Sequence, residues 1–195
     1  MRFILVIILK KLVFNAFYYI ARYLRVIYLS MQGARISFGS KIDPGYRFSG
    51  VEYISLSGEV RIGPSADIFL IKSFNRIEQP ILSILNNSYI GRNFHLVATA
   101  PISFGENLLV ANNVFISNCR HGIDLNNTPF KDQLLMDYGP IIIGSNVWIG
   151  EGASIIGSLN IGNNVVIGNG ECVLLDLPDN SIFKNGVVKI RDLDI

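Results

Sequence analysis

From Ile143 onward an aliphatic residue recurs at every sixth position: Ile143, Ile149, Ile155, Ile161, Ile167 and Val173. Ile, Val and Leu fill 63 of the 195 positions, so six successes in six trials would arise by chance roughly once in a thousand. Glycine follows at Gly144, Gly150, Gly162 and Gly168, while Val147, Ala153, Leu159 and Val165 stand four places after the first four aliphatic residues. The same rule holds in other registers over Phe104, Val110 and Ile116, over Ile84, Ile90 and Leu96, and over Ile62 and Ile68. A period of six is neither the 2 of a flat strand nor the 3.6 of a helix. It predicts a triangular parallel coil whose sides are short strands, one aliphatic residue per side pointing inward, with Gly, Asn or another small residue at the corners. An ordinary β-sandwich does not hold so strict a register. Three sides of six make an 18-residue coil, so residues 31–195 have room for about nine coils, fewer once excursions are removed.

The repeat breaks between Ile116 and Ile141. That stretch is polar and contains Pro129 and Pro140, which would interrupt a strand ladder, so residues 118–140 are expected to project from the coil as a loop. It carries His121, one of two histidines in the chain.

The first thirty residues have a different pattern. The apolar run over 3–9 ends at Lys10 and Lys11, too short for a membrane-spanning helix, and no small-residue cleavage site follows it. At 100° per residue, Lys11, Asn15, Tyr18, Arg22 and Arg25 fall on one stripe, away from Phe14, Phe17, Ile20, Ala21, Leu24 and Ile27. Residues 1–30 are therefore read as a basic amphipathic helix. Its apolar face has two candidate partners: a membrane surface, with the basic stripe at the headgroups, or protein.

Composition narrows the classes. Half of the residues are hydrophobic and only 16% are charged, which excludes a disordered chain and a long solvated helix. The net charge of +2 is uneven, since residues 1–30 hold five bases and no acid, whereas the rest hold 12 bases against 15 acids. A body with net −3 lacks the clustered positive field that nucleic acid requires. Cys119 and Cys172 are far apart and in no metal-ligand spacing, which argues against a disulfide framework or a zinc ribbon and favours a reducing compartment.

Three segments then carry a resemblance: the tract from Phe104-Gly-Glu-Asn to Phe115-Ile-Ser117, the Arg120-His-Gly-Ile-Asp124 loop, and Ile143-Gly-Ser-Asn-Val-Trp148-Ile-Gly150 running on to Asp176-Leu-Pro178. Together they resemble the hexapeptide-repeat acyltransferases, in the branch that acetylates sugar hydroxyls in galactosides, capsules, O-antigens and exopolysaccharides. The resemblance implies an all-β, left-handed parallel β-helix with an N-terminal α-helix and a projecting active-site loop. It further implies a homotrimer, acetyl-CoA as co-substrate with no metal, and a saccharide acceptor. Were the helix to hold the protein at the cytoplasmic face of a membrane, a lipid-linked acceptor would be natural; otherwise the expected location is the cytoplasm.

Residue by residue, the resemblance makes His121 the general base. An imidazole with its ordinary pKa near 6.5 can take a proton from a sugar hydroxyl as that oxygen attacks a thioester. His95 and Thr99 are candidate acceptor contacts, and Asn118 and Asp124 flank His121 where they could hold its tautomer or bond the sugar. Trp148 corresponds to a tryptophan beside the acetyl site. The backbone N–H groups of Glu151 and Asn169 would face the thioester and pantetheine arm, the former stabilising an oxyanion. Lys189 and Arg191 are candidates for the CoA phosphates, although Asn185-Gly-Val-Val-Lys-Ile-Arg191 departs from the usual closing motif. Other readings of the same fold are a serine-type or N-acetyltransferase and a non-catalytic scaffold or carbohydrate-binding subunit. A carbonic anhydrase would need three histidines per zinc, and the chain has two.

Overall fold

The computed structural model describes residues 2–72, 81–125 and 127–191, and along the helix the side chains at 2–9, 11, 12, 14 and 15 lie outside the described set. An α-helix, α1 (Arg2–Met31), is followed by short strands that stack into three faces. The first face holds six parallel strands from Arg35–Ile36 to Leu159–Ile161. The second holds seven, from Lys41–Ile42 to Ser181–Lys184, and ends on an antiparallel partner, Val187–Ile190. The third holds six parallel strands from Arg47–Ser49 to Cys172–Val173. This is the left-handed parallel β-helix expected from the six-residue step, with α1 at its start.

The step is a burial pattern. Ile143, Ile149, Ile155, Ile161, Ile167 and Val173 are all buried, as are Ile62, Ile68, Ile84, Ile90, Leu96, Phe104, Val110 and Ile116 in the other registers. Fully burying such a side chain is worth about 1.5–3 kcal/mol, and each stacks on its counterpart one coil away. Corners between the first and second faces are taken by left-handed residues, among them Asn87, Asn107, Asn146, Asn164 and Asn180, all with φ between 56° and 58°. Asparagine tolerates this region and bonds locally. Its amides also form ladders between coils: Asn87 Nδ2 donates to Asn107 Oδ1 at 2.7 Å, Asn146 to Asn164 at 2.8 Å, and Asn164 to Asn180 at 2.9 Å.

The coils number six to seven among the described residues, fewer than nine, because most are longer than 18 residues. Ile149 pairs with Ile167, a step of 18, but Ile90 pairs with Val110, a step of 20, and Val110 with Ile149, a step of 39. The surplus falls at one corner, where the third face turns into the first. Among the described residues, the 3₁₀ turn Val51–Tyr53, the Thr99 to Pro101 bend and the loop all leave there. That edge is also where the sequence repeat changes register.

The helix packs the other way round from the expected amphipathic reading. Arg22, Val26 and Leu29 are buried against the first coil, whereas Phe17, Ile20, Leu24 and Ile27 are exposed. The side chains of Lys11, Phe14 and Asn15 lie outside the described residues. The reversal has an electrostatic cause in Asp43, which is buried at the start of the second face. Its Oδ1 accepts from Arg22 Nε at 2.6 Å and from the Tyr18 hydroxyl at 3.0 Å, and its Oδ2 accepts from Arg61 at 3.2 Å. Burial alone would raise the Asp43 pKa, but the donors from Arg22, Tyr18 and Arg61 outweigh it and hold the carboxyl below its ordinary range. Arg25 adds a bond to the Ile42 carbonyl at 3.1 Å. The basic stripe is thus the protein-facing side. Among the described residues no helix is long and apolar enough to cross a membrane.

Candidate active site

The projecting loop is a hairpin. Strand Cys119–His121 runs antiparallel to Leu135–Asp137, with His121 opposite Leu135, and a 3₁₀ turn, Phe130–Asp132, lies between them. His121 is exposed. Its Nδ1 lies 3.4 Å from the Gln133 carbonyl oxygen, which can only accept, so the contact favours the tautomer with hydrogen on Nδ1. Nε2 then carries the lone pair, as a general base requires.

Gln133 has a role that the sequence did not announce. Its side-chain N–H groups donate to the carbonyls of Asp124 and Thr128, both at 2.9 Å, and its Oε1 accepts from the Asp124 N–H at 3.0 Å. Gly122 lies so close that an added Cβ would meet Gln133 Oε1 at 2.6 Å. One side chain therefore cross-braces the loop segment that follows His121. No spacing rule would single out a glutamine between two leucines and an aspartate; only the fold brings its amide to those backbone groups.

Asn118 behaves differently from its expected role. It is fully buried, its Oδ1 accepts from the Thr99 N–H at 3.1 Å, and its Nδ2 donates to the Ala100 carbonyl at 2.8 Å. It pins the hairpin root to the corner bend, and the His121 tautomer is set by a backbone carbonyl instead. Thr99 is buried beside it, with its hydroxyl unpartnered. Asp124 is exposed and lines an open cleft of about 480 Å³ with Gly122, Thr128, Asp132 and Gln133.

His95 sits on the outer side of the third face, in the same row as Arg47, Asp67 and Phe115. Its Nδ1 is 4.0 Å from Asp67 Oδ2, and its ring lies 5.8 Å from Phe69 and 5.4 Å from Phe115. The Arg47 guanidinium grips both Asp67 oxygens and holds that carboxyl below its ordinary range. The strand Phe115–Ser117, which pairs with His95–Ala98, leads directly into the hairpin.

A second cleft, of about 240 Å³, opens on the second face and brings together Trp148 and Arg191 with Asn107, Leu109, Asn146 and Val166. The Arg191 guanidinium donates to the Asn164 carbonyl. Lys189 is exposed on the closing antiparallel strand, opposite Ile182. Glu151 departs from expectation: its backbone N–H donates to Asn169 Oδ1 at 3.1 Å, a bond between successive coils. That N–H is engaged within the chain and is not free to meet an oxyanion. Asn169 contributes the same corner ladder. Among the described residues no cluster of three or more His, Cys, Asp or Glu side chains is placed to hold a metal ion.

Comparison with known proteins agrees with this picture. No family model matches the chain. It is 38% identical over 111 residues to an acetyltransferase candidate of Saccharomyces cerevisiae, covering 54% of this chain and 55% of that one. It is 35% identical over 113 residues to galactoside O-acetyltransferase of Escherichia coli K12, covering 54% of each. An O-acetyl transferase candidate of lipopolysaccharide biosynthesis from the same bacterium is 23% identical over 71% of this chain and 74% of its own. The chain thus spans about half the length of the first and second of these relatives. Among solved structures, AntD, an N-acyltransferase from Bacillus cereus in complex with a dTDP-amino sugar and coenzyme A, superposes with a TM-score of 0.66. That match is 19% identical over 83% of this chain and 85% of AntD, and it speaks to the fold. The chain has the left-handed, hexapeptide-repeat β-helix fold of acyltransferases, and acetyltransferases are among its relatives in sequence.

Proposed function

We propose that the protein is an acetyl-CoA-dependent O-acetyltransferase that modifies a saccharide hydroxyl, with His121 as general base. The observation that carries this reading is the His121 ring on the exposed hairpin, with Nδ1 turned to the Gln133 carbonyl and Nε2 left to accept a proton. The acceptor oxygen attacks the thioester carbonyl carbon as Nε2 takes its proton. The carbon–sulfur bond then breaks, and the proton passes to the departing CoA sulfur. A positioned base of this kind contributes about 10²- to 10⁴-fold in rate.

Trp148, Lys189 and Arg191 would hold the co-substrate, the first against its acyl end and the two cations at its phosphates. The relatives support the acyl donor and a sugar acceptor, since one is named for galactosides and another for lipopolysaccharide biosynthesis. A surface-polysaccharide precursor is the acceptor we favour, handled in the cytoplasm. The exposed hairpin residues Ile123, Leu125, Leu134 and Met136 favour a homotrimer, in which a neighbouring copy would cover them.

The test is CoA release by the full chain across a panel of saccharides, with and without His121→Ala. We expect release with hydroxyl acceptors and a loss of about 10²-fold or more in the variant. Release with amino sugars alone would instead assign N-acylation. A wild type that releases no CoA with any sugar would favour a carbohydrate-binding scaffold, and an unimpaired His121→Ala would remove the base.

A further inference from the structure

We infer that the outward face of α1 docks on an anionic lipid bilayer, the helix lying at the boundary between headgroups and acyl chains. Taking Arg22 as the direction of the coil, Val13, Phe17, Ile20, Leu24, Ile27 and Met31 all fall within about 40° of the opposite direction. Every one of them is exposed, with Phe17 at 71% and Met31 at 82%. Phe38 of the first coil, 70% exposed and stacked on Tyr23 at 5.8 Å, extends the apolar surface beyond the helix. Six large apolar side chains in one stripe, on a helix whose polar side is already held by Asp43, leave the usual arrangement of a surface helix inverted.

The charge of this end selects the occupant. Through residue 42 the chain contains Arg2, Lys10, Lys11, Arg22, Arg25, Arg35 and Lys41 and no Asp or Glu. The first acid, Asp43, is buried and matched by Arg22 and Arg61. Pairing this face with the same face of a second copy would bring two basic ends together, whereas phosphate-bearing lipid answers both the charge and the apolar stripe. Tyr23 and Tyr28 lie beside the stripe, an amphipathic composition suited to the headgroup level. Among the described side chains, the hydrogen bonds from α1 to the coil begin at Tyr18. Residues 2–17 extend beyond that point by about 24 Å of helix, and their sequence includes the apolar run over 3–9. Arg22 and Arg25 serve the protein and not the headgroups, so the lipid contact is made by the opposite side of the helix from the basic stripe.

The experiment is flotation of the full chain with vesicles of phosphatidylcholine containing one quarter phosphatidylglycerol, and with pure phosphatidylcholine vesicles. The wild type should float with the anionic vesicles and more weakly with the neutral ones, and Ile20→Glu with Leu24→Glu should weaken binding at least about tenfold. Both positions are exposed, so the thermal midpoint should be unchanged; Phe17→Glu, farther from the coil contacts, repeats the test should the pair disturb folding. A wild type that floats with neither vesicle overturns the inference. So does a doubly substituted chain that floats as well as wild type, or a wild type larger in solution than the variant with neither floating, which would assign the face to pairing of copies. CoA release with a soluble sugar should be equal in wild type and variant, so failure here leaves the assignment of His121 untouched.

Discussion

Removing the Asp43 carboxylate tests the account of how the helix is held. In Asp43→Ala the Arg22 guanidinium, with its side chain only 8% exposed, loses its 2.6 Å partner and becomes an uncompensated buried charge. The Tyr18 hydroxyl and Arg61 lose an acceptor at the same time. Breaking a buried pair in this way costs about 3–5 kcal/mol, against about 0–1 kcal/mol for an exposed pair such as Lys131 with Asp132. Because α1, in its described contacts, packs chiefly on the first strands, the loss should appear as release of the helix, with the later coils intact. Limited proteolysis of residues 1–31 reads the release, and urea unfolding reads the overall cost. The double replacement Arg22→Met with Asp43→Leu removes both charges and keeps apolar volume, so it should recover most of the loss. An Asp43→Ala chain that loses less than about 1 kcal/mol, or a double variant no better than the single one, would refute the electrostatic explanation of the reversed helix.

Three further outcomes follow from the same structure. Because the folded chain holds Asp43 below its ordinary pKa, its contribution is complete above about pH 4 and is lost as pH falls through the lower folded value; protease resistance of α1 should therefore persist at pH 5 and fail only in stronger acid. Asn118→Ala leaves the Thr99 N–H and the Ala100 carbonyl buried without partners and should cost about 2–4 kcal/mol in urea unfolding, while Asp124→Asn, at an exposed position, should cost almost nothing. Gln133→Ala removes three solvent-accessible hydrogen bonds at about 0.5 kcal/mol each; CoA release should fall about tenfold with the thermal midpoint lowered by only about 3–6 °C, and an undiminished rate would show that the brace does not position His121.

Much of the coil was legible because its signal is local and repeated. Each inward Ile or Val is buried for the same reason as its neighbours, so a single step of six exposes the whole stack, and the Asn corners announce their left-handed backbone. The coil number fell below nine, as expected once excursions are removed, but by how much was not legible, because the third corner adds residues that carry no periodic mark. The helix face misled for a physical reason. Periodicity reveals that Arg22 and Leu24 lie on different sides, but the side that meets the domain depended on Asp43, which lies 21 residues beyond Arg22 and became a buried partner only on folding. At the candidate site, His121 was visible as a histidine in a broken repeat. The engagement of the Glu151 N–H by Asn169 and the burial of Asn118 are contacts that only the stacked coils bring together, and the bracing by Gln133 forms only within the folded hairpin.

The gathering of the described excursions at one edge has a consequence for how such a chain can change. Elsewhere each corner bears directly on the corners above and below it, as at Gly91, where even one added carbon would meet the Ala111 backbone at 2.5 Å. A solenoid of this design can lengthen, shorten or exchange segments along a single seam while the rest of its cross-section stays constant. On the proposed function, grafting at that seam is the route to a new acceptor, with the stacked interior left as it is.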